Sequence, residues 1–393
     1  MKLTFVSNYI NHHQIPVSNA LYDSLGADYT FVQTEPMEEE RRAMGWNDEV
    51  SALPYLKYAY ETPEECRRLI MDSDIVVFGG TEEERYIEER LQAGRITIRY
   101  SERLYREGQW KAISPRGLLK KYHDHTRYRN APVYLLCAGA YVASDFHIVR
   151  AYPDKMFRWG YFTETKHYDV DKLLAEKGSR KSGTLEILFA GRFLPLKHPQ
   201  YAIFLAEELK KRDIPFHLTM VGGGEMDEWL RSDVRLRGLN DIVFFTGFKR
   251  PEEVRSYMER ADIFLMTSNY LEGWGAVINE AMNSGCAVLA DAKIGAVPFL
   301  VRHGVSGMVY ADGNSAEFLK LGTALATDAS LREKIARNAY RTITEAWNPE
   351  EAAKRLLLFA EGLLFGEVVA AKDGPLSPAP VIWPHAGYQY VRR

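Results

Sequence analysis

Short runs of β-branched and other apolar residues alternate with amphipathic helical patterns along most of the chain. In the first part, strands are expected near 2–7, 28–33, 74–78, 95–100 and 132–136, with helical segments between them. The alternation pauses in a polar, glycine-containing stretch, Lys177-Gly178-Ser179-Arg180-Lys181-Ser182-Gly183, and the apolar run from Leu185 to Ala190 then opens a second series. There the pattern predicts strands near 185–190, 216–221, 242–246, 262–267 and 286–290, separated by helices near 198–212, 225–236, 251–260 and 275–284. Alternating strands and helices build α/β architectures around parallel sheets. Two doubly wound, Rossmann-like domains in tandem are therefore expected, over 1–178 and 179–346. A further helix is expected within 347–366, with Asn348 as its N-cap and Pro349 as its first residue. Its apolar positions Leu356, Leu357, Leu358, Phe359, Leu363 and Leu364 exceed one narrow stripe, so it needs a second surface to pack on. The tail over 367–393 carries Pro375, Pro378, Pro380 and Pro384 and is expected to be extended.

Composition narrows the class. The 393 residues are 46% hydrophobic and 26% charged, which fits two folded domains and excludes general disorder. No run reaches the roughly 18 apolar residues a spanning helix needs, the stretch 356–365 being broken by Glu361. The N-terminal segment reads as one short strand rather than a leader, and a cytoplasmic protein is expected. Cys66, Cys137 and Cys286 lie far apart and read as buried thiols. The net charge of −3, from 50 basic and 53 acidic residues, offers no nucleic-acid-binding surface. That average hides an asymmetry: 16 acidic and 7 basic residues from Glu35 to Arg90 give way to 3 acidic and 10 basic from Arg95 to Arg129. With Tyr100, Tyr105, Trp110, Tyr122 and Tyr128 interleaved, the basic segment reads either as a solvated face or as a contact for an anionic membrane surface.

The most specific chemistry lies in Ser268-Asn269-Tyr270-Leu271-Glu272-Gly273-Trp274-Gly275-Ala276-Val277-Ile278-Asn279-Glu280. A strand runs into a loop with two glycines and then a helix. Glycines let the backbone approach a bound group, and free N–H groups at a helix start attract anions such as phosphate. Glu272 and Glu280 near such a site suit a sugar and a ribose; taken alone, they read equally well as a cap and a solvated helix residue. A second signal is Gly191-Arg192-Phe193-Leu194-Pro195-Leu196-Lys197-His198, where two cations at the carboxyl end of a strand suit a diphosphate. Any loop can carry two cations, so this too is only suggestive alone.

Together these residues resemble the family 4 retaining nucleotide-sugar glycosyltransferases of the bacterial surface-polysaccharide type, which have the two-domain GT-B fold. The resemblance runs from about Leu185 to Tyr310 and rests on Gly191-Arg192 with Lys197, Val221-Gly222-Gly223-Gly224, Phe245-Thr246-Gly247-Phe248, Ala261-Asp262, the Glu272 and Glu280 pair, and Gly304-Val305-Ser306-Gly307. It implies an interdomain cleft and a C-terminal crossover helix. It further implies that Arg192 and Lys197 hold the donor pyrophosphate, Glu272 and the backbone of Gly273, Trp274 and Gly275 the sugar, and Glu280 the ribose. Gly191, Gly247 and Phe248 complete the donor side, Phe248 as a stacking surface for the base. His198 departs from the family, which commonly has glycine there.

The first domain is similar mainly through Val6-Ser7-Asn8-Tyr9-Ile10-Asn11-His12-His13-Gln14. His12 and His13 are candidates for the acceptor side. Placed on a helix they would point about 100° apart, so at most one is expected to reach substrate, and a packing or capping role is the alternative. Glu102 lies about where the family carries a histidine near the donor sugar; it reads as a substitute or as a plain helix-start glutamate. Three other features are read as structural. Asp169-Val170-Asp171 is expected to cap a helix rather than bind metal. Gly222-Gly223-Gly224 lacks the dinucleotide spacing. His123-Asp124-His125 lacks a third ligand.

The function so implied is retaining transfer of a sugar from a UDP- or GDP-sugar to a glycan or lipid-linked acceptor, with no cofactor or metal required. A nucleotide-sugar epimerase or phosphorylase of the same fold, or a catalytically silent sugar-nucleotide-binding scaffold, are the alternatives.

Overall fold

The computed structural model describes residues 1–37, 53–81, 83–179 and 183–393. Arg180, Lys181 and Ser182 of the expected linker, and 38–52 and Glu82 of the acidic stretch, lie outside them. The chain forms two compact units, one from 1–164 with 346–382 and the other from 165–345 with 383–393.

Among the described residues the first unit holds seven strands: β1 (Leu3–Ser7), β2 (Tyr29–Gln33), β3 (Leu56–Tyr58), β4 (Ile75–Gly79), β5 (Thr97–Ser101), β6 (Val133–Ala138) and β7 (Met156–Trp159). They pair in the order 3-2-1-4-5-6-7, every pairing parallel. β1 and β4 are buried along their whole length, which is why they appear in the sequence as unbroken apolar runs rather than alternating ones. The second unit holds β8 (Leu185–Ala190), β9 (Phe216–Val221), β10 (Val243–Gly247), β11 (Ile263–Met266), β12 (Ala287–Asp291) and β13 (Met308–Tyr310), in the parallel order 10-9-8-11-12-13. Both sheets therefore reverse direction beside their first strand, between β1 and β4 and between β8 and β11.

Three strands were not expected. β3 and β13 have three residues and β7 has four, too few for an apolar period to register. The helix expected near 275–284 is confined to Val277–Asn283 because Gly275, at φ 87, lies outside helical space. That expected near 198–212 is Gln200–Lys211, since His198 takes a left-handed conformation and Pro199 precedes the first turn. The division between units lies at 164/165 rather than 178/179. The helix Val170–Gly178 belongs to the second unit, where Lys177 Nζ donates to the carbonyls of Ala261, Ser284 and Gly285 at 2.7–2.8 Å.

The helix Pro349–Leu364 belongs to the first unit and packs on the helix Ile15–Leu25. Asn348 caps it by accepting from the Glu351 N–H at 2.7 Å. Leu356, Phe359 and Leu363 are buried, whereas Leu358 and Leu364 stay exposed, so the second packing surface is narrower than the sequence suggests. The tail then runs beside β7, where Arg158 N–H donates to Ser377 and Ala379 N–H to the Met156 carbonyl. It ends on the second unit, not wholly extended, in the short helix Gly387–Tyr390, with Arg392 2.9 Å from Glu317. Phe359 meets the rings of Phe157 and Tyr134 edge to face at 4.7 and 5.6 Å. Phe359→Ala is predicted to cost about 3–5 kcal/mol of stability in urea unfolding; a loss below about 1 kcal/mol would show that the helix is not part of this core.

Candidate functional site

Ligands of open parallel sheets bind beyond the carboxyl ends of the strands, where the strand order reverses. In the second unit that place lies between β8 and β11. The loop after β8 carries Gly191, Arg192 and Lys197; the loop after β11 carries Glu272, Gly273, Trp274 and Gly275. The two loops are tied together: Thr267 Oγ1 donates to the Lys197 carbonyl at 2.6 Å, and Asn269 N–H to the Leu196 carbonyl at 2.8 Å. Across them Lys197 Nζ forms an ion pair with Glu272 Oε2, both side chains being largely buried. Arg192 is exposed and has no side-chain partner among the described residues.

His198 sits in left-handed space at φ 43, ψ 50, so the loop keeps the geometry that favours glycine although the residue is histidine. Its ring stacks on Tyr201 at 5.3 Å, and burial pulls its imidazole below the ordinary value, against opposing effects of Asp312 and the Thr267 backbone.

The glycines of β9 and β10 bring neighbouring loops to the same edge. Gly222, at φ 131, lies so close to the loop after β8 that a Cβ there would stand 2.0 Å from the Gly191 carbonyl oxygen. Gly222 N–H donates to the Gly247 carbonyl at 2.9 Å and Phe193 N–H to the Gly223 carbonyl at 2.8 Å. Phe248 lies 63% exposed, with its ring 3.0 Å from where a Gly223 Cβ would be. An exposed aromatic ring beside a cationic loop is a stacking surface.

The loop after β11 is shaped by Gly275. A Cβ at its φ of 87 would meet Met266 Cε at 2.6 Å. Beyond Glu272, whose N–H donates to Asn269, the N–H groups of Gly273, Gly275, Ala276 and Val277 have no acceptor among the described residues. Oriented backbone donors of this kind suit an anion. The Trp274 side chain is 1% exposed and donates from Nε1 to Asn279 Oδ1 at 2.9 Å, so its ring is turned into the protein and the reading that it contributes backbone is untouched. Glu280 is half-buried in the first turn of Val277–Asn283.

In the first unit His12 and His13 lie in a turn before the helix, not on it. Asn11 fixes the turn by accepting from His13 N–H on Oδ1 and from Gln14 and Ile15 N–H on its carbonyl. The rings consequently meet, with centroids 3.8 Å apart, instead of diverging. Burial, then neighbouring His12, holds His13 well below the ordinary imidazole value. Glu102 follows β5 and does not start a helix; it accepts from Tyr161 OH at 2.6 Å and pairs with Arg106. Tyr161 stacks on His13 at 5.8 Å and so joins the two candidates. Sequence reading missed Tyr161, whose signal was its place just after the unrecognised strand β7.

It also missed Asp291, at the carboxyl end of β12, where burial pushes the carboxyl up to about 8. Unfolded aspartate releases its proton near pH 3.9. The folded chain keeps it longer, so this group withdraws stability as pH rises between those values.

The remaining features behave as structure. Asp169 Oδ1 accepts from Lys172 N–H at 3.1 Å, and Asp171 pairs with Arg337. Buried His125 shares a hydrogen bond with Tyr152 OH at 2.8 Å, and burial pushes its imidazole down to about 2. Among the described residues no three His, Cys, Asp or Glu side chains are grouped to hold a metal ion, and no helix is long and apolar enough to cross a membrane. Much of the basic excess of 95–129 is spent internally, on Arg99 with Glu84, Arg103 with Asp145, Arg127 with Glu88 and Lys120 with Asp124, at 2.6–3.1 Å. Large apolar side chains are exposed there as well, Trp110, Ile113, Leu118, Leu119 and Tyr122, alongside exposed Arg116 and Arg129. Gly222→Ala is predicted to destabilise the second unit by about 1–3 kcal/mol, because backbone rather than a movable side chain blocks the new methyl; thermal unfolding indistinguishable from the parent would contradict this packing.

Residues 171–342 match the family Glycosyl transferases group 1. The amylovoran biosynthesis glycosyltransferase AmsK of Erwinia amylovora is 32% identical over 136 residues, 33% of each chain. The putative colanic acid biosynthesis glycosyltransferase WcaL of Salmonella typhimurium is 27% identical over 179 residues, 44% of each chain. The chain thus spans between a third and a half of the length of these curated relatives. Among solved structures, Anabaena Alr3699/HepE in complex with UDP superposes with a TM-score of 0.66 at 15% identity, over 91% of this chain and 99% of that one. WaaG, a glycosyltransferase involved in lipopolysaccharide biosynthesis, superposes with a TM-score of 0.58 at 14% identity, over 90% and 98%. With its two parallel-sheet Rossmann-like units, the chain has the GT-B fold, and its residues 171–342 are similar to the glycosyl transferases group 1 family.

Proposed function

We propose that this chain is a retaining glycosyltransferase that moves a sugar from a nucleoside-diphosphate sugar, UDP- or GDP-linked, to a glycan or lipid-linked acceptor, without a bound metal. The observation that carries the reading is the joined pair of loops at the strand reversal, with Lys197 held on Glu272 beside exposed Arg192 and unsatisfied backbone N–H groups. A diphosphate there takes Lys197 and Arg192 and competes with Glu272 for the lysine. The released Glu272 carboxylate then accepts hydrogen bonds from hydroxyls of the sugar. Glu280 takes the ribose and Phe248 the base. The departing phosphate gains negative charge as the glycosidic bond breaks, and preorganised cations and N–H donors stabilise that charge. Its oxygen takes the proton of the acceptor hydroxyl on the face that the acceptor attacks, so the anomeric configuration is retained. HepE, whose structure holds UDP, and the polysaccharide-biosynthesis relatives support the donor class and the product class.

His13, Tyr161 and Glu102 are proposed to serve the acceptor side. The chain is proposed to work in the cytoplasm, touching anionic lipid through Trp110, Ile113, Leu119 and Tyr122, with Arg116 supplying charge.

Steady-state kinetics over a panel of UDP- and GDP-sugars tests the reading. Arg192→Ala and Lys197→Ala are predicted to lower kcat by about 10²- to 10³-fold. Glu280→Gln should mainly raise the donor KM, and turnover should survive EDTA. Abolition by EDTA with rescue by manganese, or near-parental kcat in both cation variants, would overturn it; an inverted product anomer would overturn retention.

A further inference from the structure

The first unit carries a second site, formed by none of the candidate site residues of either unit. A groove of about 760 Å³ lies on its surface, within the size range of small-molecule sites. It is formed from segments that precede β6 and β7, and so lies toward the amino ends of those strands, opposite the edge that bears His12, His13 and Glu102. One side is cationic, with Arg129 and Arg150, and also carries His147; Asp154 is the one carboxylate among the lining residues. Neither the Arg129 nor the Arg150 guanidinium has a carboxylate partner among the described residues, unlike Arg99, Arg103 and Arg127 nearby in the chain. The other side is apolar, built from Met156 and Phe157 of β7 and from Val368 and Val381 of the returning tail. Val368 is 52% exposed, and Phe365 and Val369 extend the apolar surface along the chain.

The cationic side is held by an unusual backbone. Arg150, Tyr152 and Asp154 all adopt left-handed conformations, with φ of 55, 51 and 56. Non-glycine residues rarely enter that region, and three in five positions persist only where surroundings over-determine them. Here the anchor is Tyr152, fully buried and bonded to His125, while Arg150 and Asp154 on either side of it face solvent. The tail is fixed equally firmly by its pairing with β7, Phe157 facing Pro378. Two rigid walls of opposite character, one bearing unpaired guanidinium groups, present a polar head and a hydrocarbon chain with separate partners.

We propose that this groove binds a single molecule of an anionic amphiphile, a phosphate head on Arg129 and Arg150 and a hydrocarbon chain along Met156, Val368 and Val381. Guanidinium groups bind phosphate through charge-assisted hydrogen bonds, and the apolar wall removes the chain from water. The site is independent of the transferase reading and stands or falls separately from it.

Calorimetric titration of the full chain with decyl phosphate below its micelle concentration tests the proposal. Saturable one-to-one binding is expected, weakened about 10- to 100-fold by Arg129→Glu with Arg150→Glu and also by Val368→Asp with Val381→Asp. Inorganic phosphate and 1-decanol should each bind much more weakly than decyl phosphate. Circular dichroism checks folding, and Arg129→Gln with Arg150→Gln replaces the charge reversal if that variant does not fold. Undiminished affinity in the arginine variants, equal binding of inorganic phosphate or 1-decanol, or binding to phosphatidylglycerol vesicles with none to monomeric decyl phosphate would each overturn it.

Discussion

In a parallel sheet wound both ways from one strand, the loops on either side of the reversal lead to opposite faces and leave a crevice that no connection crosses. Between β8 and β11 that crevice is lined by a loop with two cations and a loop with two carboxyl-side glycines, stitched together by Thr267 and Asn269. The rest of the site follows from how closely the backbones can approach. Gly222 sits against the Gly191 carbonyl, Gly224 against the Phe193 carbonyl, and Gly275 against Met266, so the strand ends converge without side chains filling the space. Unsatisfied N–H groups then remain at the edge, in a form that an incoming anion can use.

Electrostatics adds a second constraint to that shape. An ammonium on a half-buried loop would be costly if left alone, and Glu272 supplies its partner. On the proposed reading the same carboxylate becomes available when a diphosphate takes its place, coupling recognition of phosphate with recognition of the sugar. Arg192, exposed and without a side-chain partner among the described residues, carries no such constraint and on the proposed reading is the point of first encounter for a negatively charged donor. In the first unit the polar cluster is organised differently, with Tyr161 stacked on His13 and bonded to Glu102.

The long buried strands and the loops after β8 and β11 were legible in the sequence because their signals are local: unbroken apolar runs, cations at a strand end, glycines at fixed spacing. Elements too short to show a period, such as β3, β7 and β13, were not, and missing β7 hid Tyr161 and the tail that pairs beside it. His198 shows a different limit. A residue type that disfavours left-handed space left the shape of that loop open, yet the surrounding contacts impose it. Likewise the inward turn of Trp274 toward Asn279 depends on tertiary packing that no spacing declares. The basic segment 95–129 was legible as charge but not as surface, because its partners Glu84, Glu88 and Asp145 come from elsewhere in the chain.

The central claim is that the loops after β8 and β11 form one anion-accepting site through their backbone as well as their cations. Hydrogen–deuterium exchange with and without saturating nucleoside diphosphate measures this directly. The account predicts slowed exchange at the amides of Gly273 and Gly275 to Val277, together with the segment from Gly191 to Lys197, and little change at the amino-terminal ends of the second sheet. Unchanged exchange in both loops under conditions where the nucleotide is bound, with protection appearing elsewhere, would contradict it.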